Sequence, residues 1–300
     1  MSRLQIAAVA ITVGLNGLDG FDVLAISFAS PGIAADWGID RAALGFVLAM
    51  ELIGMAIGSI LLGGLADRIG RRPTVLGCLI VMALGMSMAT TATDVASLSL
   101  WRVLTGLGIG GLLAATNAIA AEFSNARRRS LCLALMVIGY PLGAVIGGSI
   151  AAALLDGGHW RVVFEFGAIV TALFIPLVWL LVPESVEYLA KKQPPDALVR
   201  INHTLGRMGH AALDALPRFE AGPARRSISD LFGPGFLSAT LLVTLAYFGH
   251  ITTFYFILKW TPKIVADMGF DPASAAGVLV WANVGGALGG VLFGLLTLRF

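Results

Sequence analysis

The chain has 300 residues, of which 57% are hydrophobic and only 13% charged, with a mean hydropathy of +0.87 and a net charge of +2. Soluble domains carry about 25% charged residues, so this chain holds too little charge to coat a water-facing globule, and that class is excluded. Its two cysteines, Cys78 and Cys132, sit in apolar runs and exclude a disulfide scaffold. The small net charge gives no sign of a nucleic-acid partner. What remains is an integral membrane protein whose main partner is the lipid bilayer.

A helix needs about 20 apolar residues to cross a bilayer. The first stretch of that kind is 4–31. It is too long, and holds too many aspartates, to be a cleavable signal. Asp19 and Asp22 lie three residues apart on one helix face, with Asn16 a turn before. An ionisable group at bilayer depth costs about 2.5–3.5 kcal/mol on insertion scales. Two desolvated carboxylates this close repel each other, so they are expected to titrate as a coupled pair and to hold a proton. The bland reading is an aspartate paired to a neighbouring helix for structure alone.

The second span, 42–66, carries Glu51 near its middle, as a third protonatable group or the partner of a cation. The loop Gly63-Gly64-Leu65-Ala66-Asp67-Arg68-Ile69-Gly70-Arg71-Arg72 follows. Its glycines allow a sharp turn and close helix ends. Asp67 can pair with an arginine or cap a helix. After the third span, 74–93, the fourth, 96–121, places Arg102 ahead of Gly106, Gly108, Gly110 and Gly111. The pattern G-x-G-x-x-G within it is no nucleotide site, because no strand precedes it. Arg102 is the only cation clearly inside the first six spans, and its planar fork suits a carboxylate. Snorkelling to the interface is the alternative.

Glu122 leads into Arg127 and Arg129. In the fifth span, 131–155, Gly139, Gly143 and Gly147 give two small-xxx-small spacings and predict close helix packing. The sixth span, 162–182, ends in Pro183-Glu184-Ser185-Val186-Glu187-Tyr188-Leu189. A polar stretch, 183–235, then separates six spans (1–182) from two more (236–300). Within it Leu198, Ile201, Leu205 and Met208 recur at helical spacing behind Asp196, a candidate N-cap. They predict a short amphipathic helix lying on the cytoplasmic face, with a mobile linker as the alternative. The seventh span, 236–258, holds His250 among aromatics, a candidate proton relay or a packing residue. Lys259, Trp260 and Lys263 read as an interfacial anchor. The eighth span, 273–298, runs to the chain end.

The string G-x-L-A-D-R-x-G-R-R resembles the signature loop of the major facilitator superfamily. The arginine ahead of the glycine ladder resembles that family's fourth-helix motif, and Glu122 with Arg127 and Arg129 resembles its acidic-then-basic loop, although Asn125 stands where a proline is usual. P-E-S-x-x-Y-L resembles its sugar- and aromatic-acid-type members. Asp19-Gly20-Phe21-Asp22 resembles the motif of the aromatic acid:proton symporters. The resemblance implies an all-α membrane fold, with a six-helix N-terminal bundle followed by two helices of an incomplete second bundle. It also implies a gating role for Gly63, Asp67, Arg68, Gly70, Arg71, Arg72, Glu122, Arg127 and Arg129. The family repeats its loop after the eighth helix. Here Leu298 stands where the aspartate would be and the chain stops, which reads as a truncated, fragmentary or degenerate second half.

Fifteen basic residues fall in loops on one side and four, Arg41, Arg161, Lys259 and Lys263, on the other. The positive-inside rule then predicts a multi-pass inner-membrane protein of bacterial type with its N-terminus cytoplasmic. The leading expectation is proton-coupled symport of a small organic acid, aromatic by resemblance, by alternating access. Asp19 and Asp22 would bind the proton, Arg102 the acid, and Glu51 and His250 would be further candidates. The alternatives are another anionic or sugar-like substrate, or a non-transporting remnant. No spacing suited to an enzyme's nucleophile, a metal or a cofactor appears, so none is expected.

Overall fold

The computed structural model describes residues 1–217, 231–233 and 235–297, the side chains of 290, 291 and 293–297 excepted. The elements are α1 (Arg3–Trp37), α2 (Arg41–Gly63), α3 (Ala66–Ile69), α4 (Arg71–Ala89), α5 (Val95–Glu122), α6 (Arg129–Leu155), α7 (Arg161–Leu181), α8 (Val186–Lys192), α9 (Ala197–Met208), α10 (Leu237–Asp267) and α11 (Pro272–Thr297). No strand occurs among the described residues. Among the described residues, seven helices, with α2 and α3 taken as one, are long and apolar enough to cross a membrane. α11, 26 residues long, occupies the expected eighth span.

Helix ends follow local chemistry. Ser2 and Gln5 form a reciprocal capping box at α1. The Asp40 carboxylate accepts from the Ala43 amide at 2.8 Å to start α2, and that of Asp94 accepts from Ser97 at 2.8 Å to start α5. α1 was expected to stop near 31, yet it continues through Pro31 to Trp37. Proline removes a backbone donor and so frees the carbonyl four residues back. The Ser30 hydroxyl supplies a substitute, donating to the Ser27 carbonyl at 2.8 Å. Gly38, at φ 61°, then ends the helix.

The same reasoning corrects the seventh span. α10 passes Pro262 and ends at Asp267, beyond the expected 258. Pro262 leaves the Leu258 carbonyl without its usual amide donor, and the Thr261 hydroxyl bonds one residue earlier, to the Ile257 carbonyl, at 2.6 Å. Lys259 therefore lies inside a helix and is buried, so it is no interfacial anchor. In the polar stretch, α9 forms where the apolar spacing predicts it, with Ile201 buried. Asp196 sits at its N-cap but makes no capping bond, pairing instead with Arg200 at 3.6 Å. The short α8 had no counterpart among the expected elements. Arg218, Arg225, Arg226, Leu298, Arg299 and Phe300, used above for topology and for the end of the chain, lie outside the described residues.

The packing is inside-out relative to a soluble protein. Ile60 is 79% exposed and Leu180 70%, while Glu51 and Arg102 are fully buried. Apolar side chains facing outward and charges facing inward are the arrangement a bilayer selects. Lipid removes most of the hydrophobic drive between helices, so small residues carry the association. α1 and α6 approach so closely that a Cβ on Gly143 would strike the backbone of Gly17. α2 packs on α5, α4 on α5 and α7, and α1 runs through the middle, buried along most of its length.

Candidate functional site

Arg102 needs a counter-charge at its depth, and the glycine ladder brings one. Gly106 and Gly110 follow Arg102 at four-residue spacing and share its face of α5. A Cβ on Gly106 would strike the Glu51 carbonyl, and one on Gly110 that of Met55. The two backbones thus meet one turn from the charged side chains. Arg102 Nη2 pairs with Glu51 Oε1 in a contact with no exposure on either side. The same guanidinium donates to the Asp22 carbonyl at 2.9 Å, lies 3.0 Å from Met86 Sδ and stacks over Phe164 at 5.4 Å. Snorkelling is therefore not its role.

Glu51 has a second cation. Lys259 Nζ of α10 donates to Glu51 Oε2 at 2.6 Å and also to the Val23 carbonyl. One carboxylate is thus held between two buried cations, with α1 carbonyls completing the cradle. Asp22 and Asp19 lie on the same helix α1 but are bonded differently. Asp22 Oδ2 accepts from the Thr171 hydroxyl at 3.2 Å, while Asp22 Oδ1 and both Asp19 oxygens are buried without a hydrogen-bond partner among the described residues. Asn16 turns to α6, donating to the Met136 carbonyl at 2.6 Å. An ionised carboxylate left so is expensive.

Of the sequence candidates, Asp19, Asp22, Glu51 and Arg102 come together in the interior. His250 does not join them. It lies exposed on α10, stacked on Phe254 at 6.2 Å. Lys259 joins them unforeseen. The sequence pointed the other way, since a lysine followed within a few residues by a proline and another lysine looks like a helix end, and only the course of α10 past Pro262 shows otherwise.

A second cluster gathers the loop motifs at the basic end of the molecule. Arg71 pairs with Asp67 at 3.0 Å and with Glu122 at 3.3 Å, and donates to the Ala66 carbonyl at 3.1 Å. Glu184 caps α4, its Oε1 accepting the amides of Arg71 at 2.8 Å and Arg72 at 3.3 Å. Gly70, at φ 111°, lets the chain pass, since a Cβ there would run into that carboxylate. Ser185 donates to Glu122, and the Tyr188 hydroxyl donates to the Arg68 carbonyl at 3.1 Å. Arg72 donates to the Trp179 carbonyl and stacks on its ring at 4.9 Å. The side chains of Arg68, Arg127 and Arg129 are exposed, without an ion partner among the described residues. Gly63 makes only ordinary contact with Ala114. Glu184 and Ser185 are the members that sequence reasoning left out of the gating set.

At the opposite end, Asp36 accepts from Trp160 Nε1 at 3.1 Å and pairs with Arg161 at 3.4 Å. Arg161 also donates to the Thr90 and Ala92 carbonyls at 3.0 and 2.9 Å, tying α1, α7 and the α4–α5 turn together.

Known proteins resemble this chain in sequence and in fold. The Major Facilitator Superfamily profile matches residues 12–300. The gallate transporter of Pseudomonas putida is 31% identical over 291 residues, covering 92% of this chain and 62% of that protein. The 4-hydroxybenzoate transporter PcaK of Pseudomonas putida is 32% identical over 299 residues, covering 97% of this chain and 66% of that protein. This chain therefore spans a little under two thirds of the length of these two relatives. In fold, the xylose transporter XylE from E. coli in a partially occluded inward-open conformation superposes with a TM-score of 0.77 at 19% identity, over all of this chain and 72% of that one.

Proposed function

Because the chain belongs to the Major Facilitator Superfamily, a family of membrane transporters and not of enzymes, we propose that it moves a small organic acid together with protons across a bacterial inner membrane by alternating access. The observation that carries this reading is the interior cluster. It holds three carboxylates, Asp19, Asp22 and Glu51, against two cations, Arg102 and Lys259, all buried. If every carboxylate is ionised, the cluster carries one uncompensated negative charge. One bound proton balances it. Glu51 already has both cations, so the proton belongs on the aspartate pair of α1, where oxygen atoms lack donors.

The likeness to gallate and 4-hydroxybenzoate transporters supports an aromatic acid as the substrate. An acid entering a negative interior is opposed by about 2.3 kcal/mol per charge per 100 mV. One co-transported proton cancels that charge, and a second makes entry electrically favourable. In this reading Asp22, with Asp19, carries the proton and Arg102 attracts the carboxylate. The basic end, with its Asp67–Arg71–Glu122–Glu184 network, faces the cytoplasm and gates it without touching substrate.

The test is accumulation of 4-hydroxybenzoate by cells expressing the protein, driven by an imposed pH gradient. Asp22→Asn is expected to abolish the gradient-driven component. Arg102→Ala is expected to weaken recognition of the acid far more than that of its uncharged amide. If Asp22→Asn cells still concentrate the acid in response to pH, the proton site is not on α1, and the reading fails.

A further inference from the structure

The contacts of α10 with the rest of the molecule are uneven along its length. Near the basic end, the whole run Leu241–His250 is exposed. Near the opposite end, Leu258, Lys259 and Pro262 are buried. α11 repeats this pattern, with Ala275, Ala276, Leu279 and Val280 buried close to its start. The last two helices therefore engage the first six through the halves remote from the basic loops.

There α10 packs on α1, lays the Trp260 ring against Gly45 of α2, and reaches α2 through two ion pairs. One is the buried Lys259–Glu51 pair. The other, two turns further out, is Arg41 of α2 with Asp267 of α10 at 2.9 Å, Asp267 being shared with Lys263. The outer pair is exposed on the Arg41 side and adds little by itself. Of the two ion pairs the buried one holds α10 to α2 more strongly, because Lys259 separated from Glu51 would be an uncompensated charge in the interior.

A cavity of about 350 Å³ opens between α2 and α10, with Lys259 on its wall beside Tyr255, Phe256 and Trp260. It offers a cation framed by aromatic rings, which is the complement of a ring-bearing carboxylate. Glu51 does not depend on Lys259 alone, because Arg102 holds its other oxygen. Lys259 can therefore be given up to a different carboxylate without stranding either charge.

We propose that the Lys259–Glu51 pair is an anion-exchangeable latch. A ring-bearing carboxylate entering this cavity takes Lys259, Glu51 stays with Arg102, and the outer halves of α10 and α2 part. This rests on the carrier reading above and adds to it a second substrate cation and the contact that substrate must open.

The test uses the chain reconstituted in vesicles, with Cys78 and Cys132 replaced by alanine. Spin labels at Ala42→Cys and Met268→Cys, both exposed beside the outer pair, report the α2–α10 separation as dipolar broadening. Benzoate is expected to reduce the broadening, and benzamide to leave it unchanged. Lys259→Met, which keeps the bulk and leaves Glu51 paired to Arg102, is expected to show reduced broadening without ligand and no response to benzoate. Glu51→Gln should weaken the contact before ligand is added. A benzoate response that persists in Lys259→Met, or no response in the parent chain, overturns the latch. The labels read separation and not transport. Failed pH-driven uptake with an intact benzoate response removes the symport reading alone, and the converse removes the latch alone.

Discussion

Glu51 stands at the centre of the buried chemistry because it is fully buried and holds two cations. Its charge was legible in the sequence, and so was that of Arg102. The third member was not, because Lys259 lies 208 residues away in a helix whose end was misplaced by eight or more residues. Sequence patterns place charges at depths, whereas partners come from tertiary contact. At the basic end the same limit applies to Glu184, whose role as the cap of α4 depends on a turn at Gly70 that brings two distant segments together. Glu184→Ala strips an acceptor from the partly buried amides of Arg71 and Arg72 and the buried amide of Ser185, and is expected to cost about 1–3 kcal/mol. Glu184→Gln keeps an acceptor oxygen and should cost less. Thermal unfolding in detergent ranks the two, and equal loss for both would show that the charge, and not the bond, matters there.

Among the elements, the eight apolar spans were readable because hydropathy over twenty residues is a strong signal. Their ends were not, since α1 and α10 continue past Pro31 and Pro262, beyond the apolar stretches, to Trp37 and Asp267, and hydropathy does not mark that continuation. α8 was missed because seven residues are too few for periodicity, although Ser185 does accept from the Tyr188 amide at 2.9 Å as an N-cap should. At α5 the cap was stronger. Bonds from Ser97 hold the Asp94 carboxyl below the ordinary aspartate range. A group whose value falls on folding stabilises above its unfolded value and loses that contribution as pH falls through the folded one. The start of α5 is therefore intact at neutral pH and frays only in acid. Asp94→Ala should raise amide exchange at Ser97 at pH 7, while leaving the middle of the helix protected. The α1–α6 seam gives a sharper case. Gly143→Val forces a branched side chain against the Gly17 backbone and should cost about 1–3 kcal/mol or more through overpacking. A variant with unchanged thermal stability would mean that the two helices part more easily than their spacing suggests.

For the whole molecule, the all-helical superfamily fold was legible from composition and loop motifs together, and the geometry adds where the ion pairs close. Orientation still rests on the basic asymmetry. Reporter fusions after Val95, Gly158 and Asp267 are expected to read outside, and those after Ala126 and His210 inside. An inside signal at Gly158 would put the basic-end network on the outer side and overturn its assignment as a cytoplasmic gate. The central proposal is that acid and proton cross together, and its support is that the buried cluster of Asp19, Asp22, Glu51, Arg102 and Lys259 holds one more carboxylate than cations. It is tested most directly by proton movement itself. When 4-hydroxybenzoate is added to a weakly buffered, de-energised suspension of cells expressing the protein, the external pH should rise at once, and it should not rise with 4-hydroxybenzamide or in Asp22→Asn cells. Entry of labelled 4-hydroxybenzoate through the protein with no change in external pH would contradict it.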